Sequence, residues 1–211
     1  MKWFRMPLGA IQTNCYILSE NDGSCLIVDP GDEAKKIIEW VNSRKLKPAA
    51  ILLTHAHFDH IGAVDKVRVT YNIPVYLHEK EKKWLGDPSL NGSQFFPVGE
   101  LIRVKDADVL IQNEEEMQLG SFKFSILETP GHSPGSISFY FEKEGFVFSG
   151  DALFQRSIGR TDLPGGNESQ LLKSIHDKLL SLPEDTWVLS GHGPETTIAE
   201  EMDGNPYLNG F

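Results

Sequence analysis

The sequence predicts an α/β fold built from two strand-rich halves, each of which ends in a helix. Apolar runs of strand length recur along the whole chain, and stretches with helical periodicity interrupt them. Many of the runs end at a turn that contains glycine or proline. Because sheets bury their apolar faces against other layers, this order favours sheets packed face to face with helices outside. With 211 residues the chain has the size of one domain, and we expect a single domain over residues 1–211.

The first predicted elements are two antiparallel strands. The segments NCYILSE and SCLIVDPG flank Asp22-Gly23, a dipeptide that favours a two-residue hairpin turn. In that register Cys25 lies opposite Glu20, and Cys15 lies opposite Pro30. We therefore expect no disulfide, and both cysteines are predicted to be reduced core residues.

Helix and strand alternate in the next segments. DEAKKIIEWVNSRKL carries apolar residues at the spacing of one helix face, namely Ala34, Ile37, Ile38 and Val41. AAILLTH is almost wholly apolar, as in a strand buried on both faces. A second helix is predicted to begin around His60, and the strand PVYLH follows it. Residues 86–99 are rich in Gly, Pro, Ser and Asn and predict a loop.

After this loop four strands are predicted, in DVLIQ, FKFSILETPG, SISFYFE and GFVFSGDALF. In NESQLLKSIHDKLLSL, Asn167 and Gln170 have the spacing of a capping box, which predicts a helix. TWVLSGH is the last predicted strand, and we expect little regular structure in the acidic tail. The loop 86–99 and the tail, including Tyr207 and Phe211, are expected to shape a substrate pocket.

Composition excludes several functional classes. The formal net charge of −10 argues against a nucleic-acid-binding surface, which needs basic residues to neutralise phosphates. No apolar run has the length of a membrane span, and the start, MKWFRMPLGA, lacks the apolar stretch of a secretion signal. We expect a cytoplasmic protein with no membrane partner. The residues do not predict an oligomeric state.

The segment THAHFDH concentrates metal-binding chemistry directly after an apolar strand. Three of the seven histidines of the chain lie in these seven residues. Residues i and i+2 of a strand project to one side, so we expect His55 and His57 to point the same way. Asp59 and His60 follow where the chain turns into a helix, and they can approach a metal from another angle.

Similar residues follow three later strands. His132 lies in TPGHSPGS, Asp151 in SGDALF and His192 in SGHGPE, each at the exit of an apolar run into a glycine-bearing turn. Strand ends at one sheet edge converge in space, and glycine allows the backbone to crowd a site. We therefore predict a metal site. The other two histidines, His78 and His176, lack such a cluster and are predicted to be structural.

The order of these seven residues resembles that of the metallo-β-lactamase superfamily over nearly the whole chain. The resemblance implies a four-layer αββα sandwich with two metal ions at one edge. It also implies the ligands of each ion: His55, His57 and His132 for the first, Asp59, His60 and His192 for the second, and Asp151 as a bridge between them. A bridging water or hydroxide would be the nucleophile, and Asp59 and Asp151 would be the catalytic residues.

Charge supports a hydrolytic site of this kind. Two divalent ions, two aspartates and one hydroxide leave a net charge of about +1, which can stabilise a developing oxyanion. Imidazole and carboxylate ligands suit zinc, although iron and manganese accept the same set. We expect two divalent ions, with zinc as the first choice.

Within the superfamily, three segments look like the glyoxalase II branch: TPGHSPGS, FSGDALF and GRTDLPGG. That branch hydrolyses glutathione thioesters of hydroxy acids, and its basic glutathione contact matches Arg160 here. A solvent-exposed loop charge is an equally good reading of Arg160. Two family tyrosines that contact glutathione match Asp162 and Pro194, and we expect no counterpart of the family's additional C-terminal helical domain. We therefore expect a short, single-domain bacterial glyoxalase II-like hydrolase.

Leaving-group chemistry also favours a small thioester as the substrate. A thiolate has a reference pKa near 8.5 and can leave unprotonated, whereas an amine must be protonated to leave. No residue beside the predicted ligands is an evident general acid, which disfavours a true β-lactamase.

Three alternatives remain. A mononuclear iron persulfide dioxygenase could use His55, His132 and Asp151. A phosphodiesterase or nuclease of the same superfamily is disfavoured by the acidic composition. A non-catalytic module would usually lose ligands, and none is lost here.

Overall fold

The computed structural model describes residues 1–97 and 99–208. Its chain forms two compact units. The first comprises Met1–Gln112 with Leu119–Ser121, and the second comprises Asn113–Gln118 and the chain from Phe122 onward. No helix among these described residues is both long and apolar enough to cross a membrane.

The first unit contains a six-stranded sheet whose spatial order equals its chain order. The strands are β1 (Lys2–Leu8), β2 (Thr13–Ser19), β3 (Ser24–Val28), β4 (Lys47–Leu52), β5 (Val75–His78) and β6 (Val109–Ile111). β1 to β3 pair antiparallel, whereas β3 to β6 pair parallel. The helices are α1 (Ala34–Ser43), α2 (Phe58–Ile61) and α3 (Val64–Tyr71). Ile37 and Val41 of α1 are buried, as the helical stripe predicts.

Strand β1 is absent from the sequence-based prediction. Its outer half is largely exposed, with the burial of Lys2–Leu8 increasing only toward Met6 and Leu8. A strand that buries so little of one face carries a weak alternation of apolar and polar residues. Pairing with β2 over the full length of β1 therefore determines its structure.

The turn between β2 and β3 is one residue longer than predicted. Glu20 pairs with Ser24, and three residues, Asn21 to Gly23, form the loop. Gly23 has φ +85°, and Asp22 Oδ1 accepts hydrogen bonds from the amide (2.8 Å) and hydroxyl (2.6 Å) of Ser24. A left-handed glycine at the end of a three-residue loop is a common hairpin connection.

The extra loop residue shifts the predicted register by one. Cys25 lies opposite Ser19 rather than Glu20, and the β2–β3 ladder begins at Tyr16 and Val28, so it does not place Cys15 opposite Pro30. The consequence drawn from the register nevertheless holds, because both cysteines are buried and free.

The second unit contains another six-stranded sheet, in the order β14-β13-β10-β9-β8-β7. The strands are β7 (Glu116–Leu119), β8 (Phe122–Glu128), β9 (Ile137–Phe141), β10 (Phe146–Gly150), β13 (Trp187–Ser190) and β14 (Thr196–Thr197). β13 runs parallel to β10. A small hairpin forms from β11 (Leu153–Phe154) and β12 (Ser157–Ile158).

Two helices complete the second unit. α4 (Glu168–Ser174) begins at Asn167, whose side chain accepts a hydrogen bond from the Gln170 amide at 3.0 Å, as the capping spacing predicts. The acidic tail was expected to carry little regular structure, but it forms β14 and α5 (Ile198–Gly204). A capping box between Thr197 and Glu200 starts α5.

Each unit has its own apolar core. The β2, β3 and β4 strands and the buried faces of α1 and α3 supply the first. β10, β13, α4 and the following π-helical turn Ile175–Leu179 supply much of the second. In the first unit, the predicted loop 86–99 consists mainly of turns and contains a 3-10 helix at Ser93–Phe95. Its residue Val98, like Phe211 of the tail, lies outside the described residues.

Candidate metal centre

The HAHFDH segment lies directly after strand β4 in the first unit. β4 ends at Leu52, so His55 and His57 follow it in a loop. The prediction that strand alternation brings these two side chains together is therefore wrong. His57 has an extended backbone at the start of α2, whose first turn carries Asp59 and His60. The ring centroid of His55 lies 4.8 Å from that of His57 and 4.1 Å from that of His60. The unit thus gathers three buried imidazoles in one place.

The buried carboxylate of Asp29, outside the motif, orients two of these imidazoles. Asp29 Oδ1 accepts a hydrogen bond from the Thr54 amide (2.8 Å), and Oδ2 accepts one from the Thr54 hydroxyl (2.7 Å). Oδ2 also lies 3.0 Å from His60 Nδ1. Because the Thr54 hydroxyl gives its proton to Asp29, it can only accept from His55 Nδ1, 3.1 Å away. Both rings are thereby held with Nδ1 protonated, which directs Nε2 toward a metal.

Asp59 is held beside His60 at a distance that suits a shared metal ion. Asp59 Oδ2 accepts a hydrogen bond from the Thr13 hydroxyl at 2.7 Å and lies 3.4 Å from His60 Nε2. Two ligands bound at about 2.0–2.1 Å to one tetrahedral ion are about 3.3–3.4 Å apart. The two side chains therefore have the separation of two ligands on the same ion.

A second buried carboxylate fixes the loop between His55 and His57. Glu81 is fully buried, and its Oε2 accepts a hydrogen bond from the Ala56 amide at 2.6 Å. The residue between the two histidines is thus anchored through its backbone. This contact holds the loop where strand geometry no longer does.

The second unit brings together the three later donors. His132 follows β8, Asp151 follows β10 and His192 follows β13. Each therefore lies after a strand, as the sequence predicts. Asp151 Oδ2 lies 3.6 Å from His132 Nε2 and 3.5 Å from His192 Nε2. One carboxylate oxygen thus faces both imidazoles, which is the arrangement that a bridging carboxylate requires.

Arg160 contributes to this cluster through its backbone. Its carbonyl oxygen lies 2.7 Å from His132 Nδ1 and orients that ring as Asp29 orients His60. Its guanidinium forms two hydrogen bonds to Asp162, from Nε at 2.6 Å and from Nη2 at 2.7 Å. These bonds raise the pKa of Arg160 and lower the pKa of Asp162 to about 2. The predicted substrate-binding side chain is therefore engaged by a neighbouring carboxylate, and its contact with substrate stays a prediction.

A glycine packs against the backbone of one aspartate in each unit. A Cβ atom on Gly31 would lie 1.7 Å from the carbonyl oxygen of Asp59. A Cβ atom on Gly159 would lie 1.8 Å from the carbonyl oxygen of Asp151. Real Cβ atoms do not approach an oxygen so closely, so both positions require glycine. The expectation that glycine lets the backbone crowd the site holds at these two positions.

The donor set fits divalent metal ions. Imidazole nitrogen and carboxylate oxygen are ligands that zinc and iron both accept. His55, His60 and His132 each have Nδ1 directed at an oxygen of the protein, as metal-binding histidines commonly do.

Sequence reasoning missed the residues that orient the donors. Asp29 directly follows strand β3, so the rule applied to the other strand exits could have found it. Thr13 and Glu81 lie 46 and 25 positions from the residues they contact, and nothing local marks them. His78 was predicted to be structural, and its Nδ1 accepts a hydrogen bond from the Lys80 amide at 3.2 Å.

Comparison with known proteins identifies relatives of the full chain. The chain is 58% identical to the probable metallo-hydrolase YqgX of Bacillus subtilis (strain 168), over 100% of this chain and 99% of the relative. It is 35% identical to the hydroxyacylglutathione hydrolase GloC of Haemophilus influenzae (strain ATCC 51907 / DSM 11121 / KW20 / Rd), over 97% of this chain and 96% of that protein.

Two solved structures extend the comparison to the fold. The BLEG-1 B3 metallo-β-lactamase matches with a TM-score of 0.97 and 58% identity, over 99% of this chain and 100% of that one. TTHA1623 in a di-iron-bound form matches with a TM-score of 0.82 and 40% identity, over 97% of this chain and 100% of that one. The predicted metallo-β-lactamase-like α/β fold class is thereby confirmed.

The family assignment follows from a match that spans both units. The family model of the metallo-β-lactamase superfamily matches residues 8–192, a range that begins in β1 and ends at the last predicted donor. Since this range is most of the chain, the chain belongs to the metallo-β-lactamase superfamily.

Proposed function

We propose that the protein is a dinuclear metal-dependent hydrolase of small thioesters. Membership of the superfamily supports hydrolytic activity in general, and the histidine and aspartate donors imply divalent metal ions. Thioester specificity is the further step. The observation that carries it is the 35% identity to a hydroxyacylglutathione hydrolase over nearly the whole chain.

The donors of both units together would supply the ligands of two ions. In this proposal His55, His57, His132 and Asp151 would hold the first ion, and Asp59, His60, His192 and Asp151 would hold the second. The distances of 3.4 to 3.6 Å between carboxylate and imidazole atoms within each unit support it. When bound, the ions would lower the pKa of a water and stabilise negative charge on the acyl oxygen.

The residues around the donors keep them aimed while the thioester is cleaved. Hydrolysis adds a water oxygen to the acyl carbon, breaks the carbon–sulfur bond and releases a carboxylic acid and a thiol. The thiol can leave as the thiolate, so the reaction needs no general acid for the leaving group. Asp29, Thr54 and the Arg160 carbonyl hold three imidazoles in their tautomers throughout.

The metal is proposed to be zinc, with iron as the alternative. Zinc suits three or four nitrogen and oxygen ligands without a preferred d-electron geometry. The similarity to TTHA1623, which was solved in a di-iron-bound form, supports iron. Metal quantification of the purified protein decides between them.

The test combines metal content with turnover. The full chain, loaded in turn with zinc and with iron, is assayed against glutathione and non-glutathione thioesters and against phosphodiesters. We expect two metal ions per chain and thioester cleavage. Asp151→Asn should lose both, whereas Asp203→Asn, an exposed carboxylate on α5, should keep both. Phosphodiester cleavage without thioester cleavage would overturn the proposal, and so would full activity of Asp151→Asn.

A second candidate is β-lactam hydrolysis. The structural match to the BLEG-1 B3 metallo-β-lactamase covers nearly the whole of both chains at 58% identity. Opening a β-lactam ring releases an amine, which needs a proton donor that a thiolate does not need. A β-lactam such as nitrocefin therefore belongs in the same assay. A kcat/KM for it above that of every thioester would favour this candidate.

A further inference from the structure

A cavity in the first unit opens beside Asp59. It has a volume of about 400 Å³, and its walls come from the β1–β2 turn, helix α2 and the residues Phe96, Pro97, Glu100 and Ile102. Most of the side chains that line it are apolar: Leu8, Ala10, Ile11, Phe58, Phe96 and Ile102. Small-molecule sites are typically cavities of this size with apolar walls and few polar groups. The cavity thus offers room for part of a substrate next to a proposed metal ligand.

One apolar lining side chain is open to solvent. Ile11 is 49% exposed and lines the cavity, while Phe95 and Leu101, each 53% exposed, are chain neighbours of the lining residues Phe96, Glu100 and Ile102. Exposed apolar side chains at a cavity are a common feature of ligand grooves. Ile11 is therefore a wall residue that an apolar ligand could contact.

The wall that contains Phe96 and Ile102 is anchored to the donor motif. The backbone carbonyl of Asn91 accepts a hydrogen bond from the Phe58 amide at 2.9 Å. Its side chain donates to the carbonyl of Trp84 at 3.1 Å and to that of Ile102 at 2.9 Å. The Phe58 and Phe96 ring centroids are 5.2 Å apart. The cavity is therefore formed in advance of any ligand.

The charges at the cavity are of one sign. Asp32 and Glu100 line it together with the proposed metal ligand Asp59, whose charge the ions would offset, and no lysine, arginine or histidine is among the lining residues in the part of the chain that the structure describes. Glu33 adds a carboxylate to the same wall, since its Oε2 accepts a hydrogen bond from the Gly9 amide at 3.1 Å. Lys36 lies 3.6 Å from Glu33 and offsets that one charge. An anionic group placed here would meet like charges.

We propose that this cavity binds an apolar, uncharged arm of the thioester substrate, so that neutral thioesters with a bulky arm are preferred over those of glutathione. The inference rests on the proposed thioesterase function and names its substrate class. Glutathione brings two carboxylates, which the acidic rim disfavours. The arm is either the acyl chain or the thiol carrier, and the shared requirement is apolar character.

Binding of uncleavable thioethers tests the cavity without turnover. The metal-loaded full chain is titrated by calorimetry with S-methyl, S-butyl and S-hexyl derivatives of N-acetylcysteamine and of glutathione. Burial of each added methylene should tighten the Kd by up to roughly fourfold. We expect this gain in the neutral series, and weaker binding of each glutathione derivative than of its neutral partner. Equal Kd values along the chain-length series, together with equal Kd values for the two carriers, would overturn the inference.

Two variants locate the effect. Ile11→Asp should abolish the gain with chain length, whereas Val69→Asp, an equally drastic change at an exposed position of α3, should leave it intact. Glu100→Gln should improve the binding of S-hexylglutathione more than that of the neutral S-hexyl compound. An Ile11→Asp protein that keeps the full chain-length gain contradicts the assignment.

Turnover then separates this inference from the function on which it rests. Acetyl, butyryl and hexanoyl thioesters of N-acetylcysteamine and of glutathione distinguish an acyl arm from a carrier arm by kcat/KM. Cleavage of none of them overturns the proposed function. Cleavage with no dependence on arm size or carrier charge overturns only the inference about the cavity.

Discussion

The carboxylate of Asp29 makes three polar contacts with residues of the proposed metal site. It binds the amide and hydroxyl of Thr54 and the Nδ1 of His60, and through Thr54 it also sets the tautomer of His55. Its backbone has φ +49°, a left-handed conformation that asparagine and aspartate tolerate better than most residues. A single residue therefore positions one proposed ligand of each ion.

Replacing Asp29 by Asn should weaken metal binding by about 10- to 100-fold, the usual effect of losing a residue that orients a ligand. Asn keeps the backbone conformation but has one acceptor oxygen where Asp29 uses two. Competition with a chelator of known zinc affinity measures the loss. Thr54→Val, which removes the hydroxyl contacts with Asp29 and His55 but keeps the contact between Asp29 and His60, should cost less. If Asp29→Asn binds zinc as tightly as the wild type, the orienting role is wrong.

The Arg160–Asp162 pair makes a second prediction at the residue scale. The pKa of Asp162 is lowered to about 2, so the carboxylate stays charged and keeps its partner at every pH well above that value. Solvent screens an exposed ion pair of this kind, so the pair is weak. Asp162→Asn should therefore release the guanidinium and raise kcat/KM for glutathione thioesters by about two- to fivefold, with no gain for neutral ones.

Asp177→Asn is the matched control for that variant. Asp177 also pairs with a basic side chain in the second unit, that of Lys173 at 2.5 Å. Its removal should leave the preference between the two carriers unchanged. Should Asp162→Asn give no gain with glutathione thioesters, Arg160 is a structural residue at this position.

Some residues of the site can be predicted from local sequence patterns, whereas others act only through contacts with residues that are distant in the chain. The donors could be predicted because each follows an apolar strand in a glycine-bearing turn, a local pattern. Asp29, Thr13 and Glu81 act on residues 25 to 46 positions away, so their roles exist only in the folded chain. The substrate contacts also come from turns and loops, where local sequence carries little information about side-chain direction.

At the scale of the elements, the close approach of Gly31 to α2 determines where Asp59 lies. Gly31 follows β3, and a Cβ there would overlap the Asp59 carbonyl at 1.7 Å. Gly62, just after α2, is similarly tight, since its Cβ would lie 2.4 Å from the Gly31 carbonyl. The loop after β3 and the helix that carries two donors are thus packed backbone to backbone.

Gly31→Ala should lower the free energy of unfolding of the metal-free protein by about 1–3 kcal/mol, because the added methyl group forces the backbone to shift. Metal affinity should fall as well, since Asp59 moves with its carbonyl. Gly86→Ala is the control, because the nearest atom to its Cβ is 3.9 Å away. Denaturant unfolding measures the free energy of unfolding of both variants, and competition with a chelator measures their metal affinity. Equal stability of the two variants would mean that the contact between Gly31 and the Asp59 carbonyl can accommodate a methyl group.

Hairpin geometry shows how an element can be predicted while its register is not. The alternation of NCYILSE and SCLIVDPG gives both strands correctly. A two-residue and a three-residue turn both suit Asp22-Gly23, and the side chain of Asp22 selects the longer one by binding Ser24. Since a shift of one residue exchanges the faces of a strand, such turn contacts determine which side chains meet.

For the molecule as a whole, the two cysteines report on the integrity of the first unit. Burial raises the pKa of Cys25 to about 12 and that of Cys15 still further. The reactive form is the thiolate, and both groups remain protonated thiols at pH 8. The thiols are accessible to a reagent only when the unit opens.

Native protein should therefore show no reaction with the thiol reagent DTNB at pH 8, and two equivalents should react in denaturant. Cys25→Ser should reduce the denatured value to one. Rapid reaction of either cysteine in the folded protein would contradict the buried placement of both side chains.

Apart from Asp59, the proposed donors and the lining of the cavity lie on different segments of the chain. The β1–β2 turn and the lining residues Phe96, Pro97, Glu100 and Ile102 contribute none of the seven proposed donors. We therefore expect insertions, deletions or exchanges in these two segments to change the substrate specificity of the enzyme while its reaction stays the same. A lineage can diversify in this way one loop at a time, and grafting these segments between relatives is a direct route to new specificities.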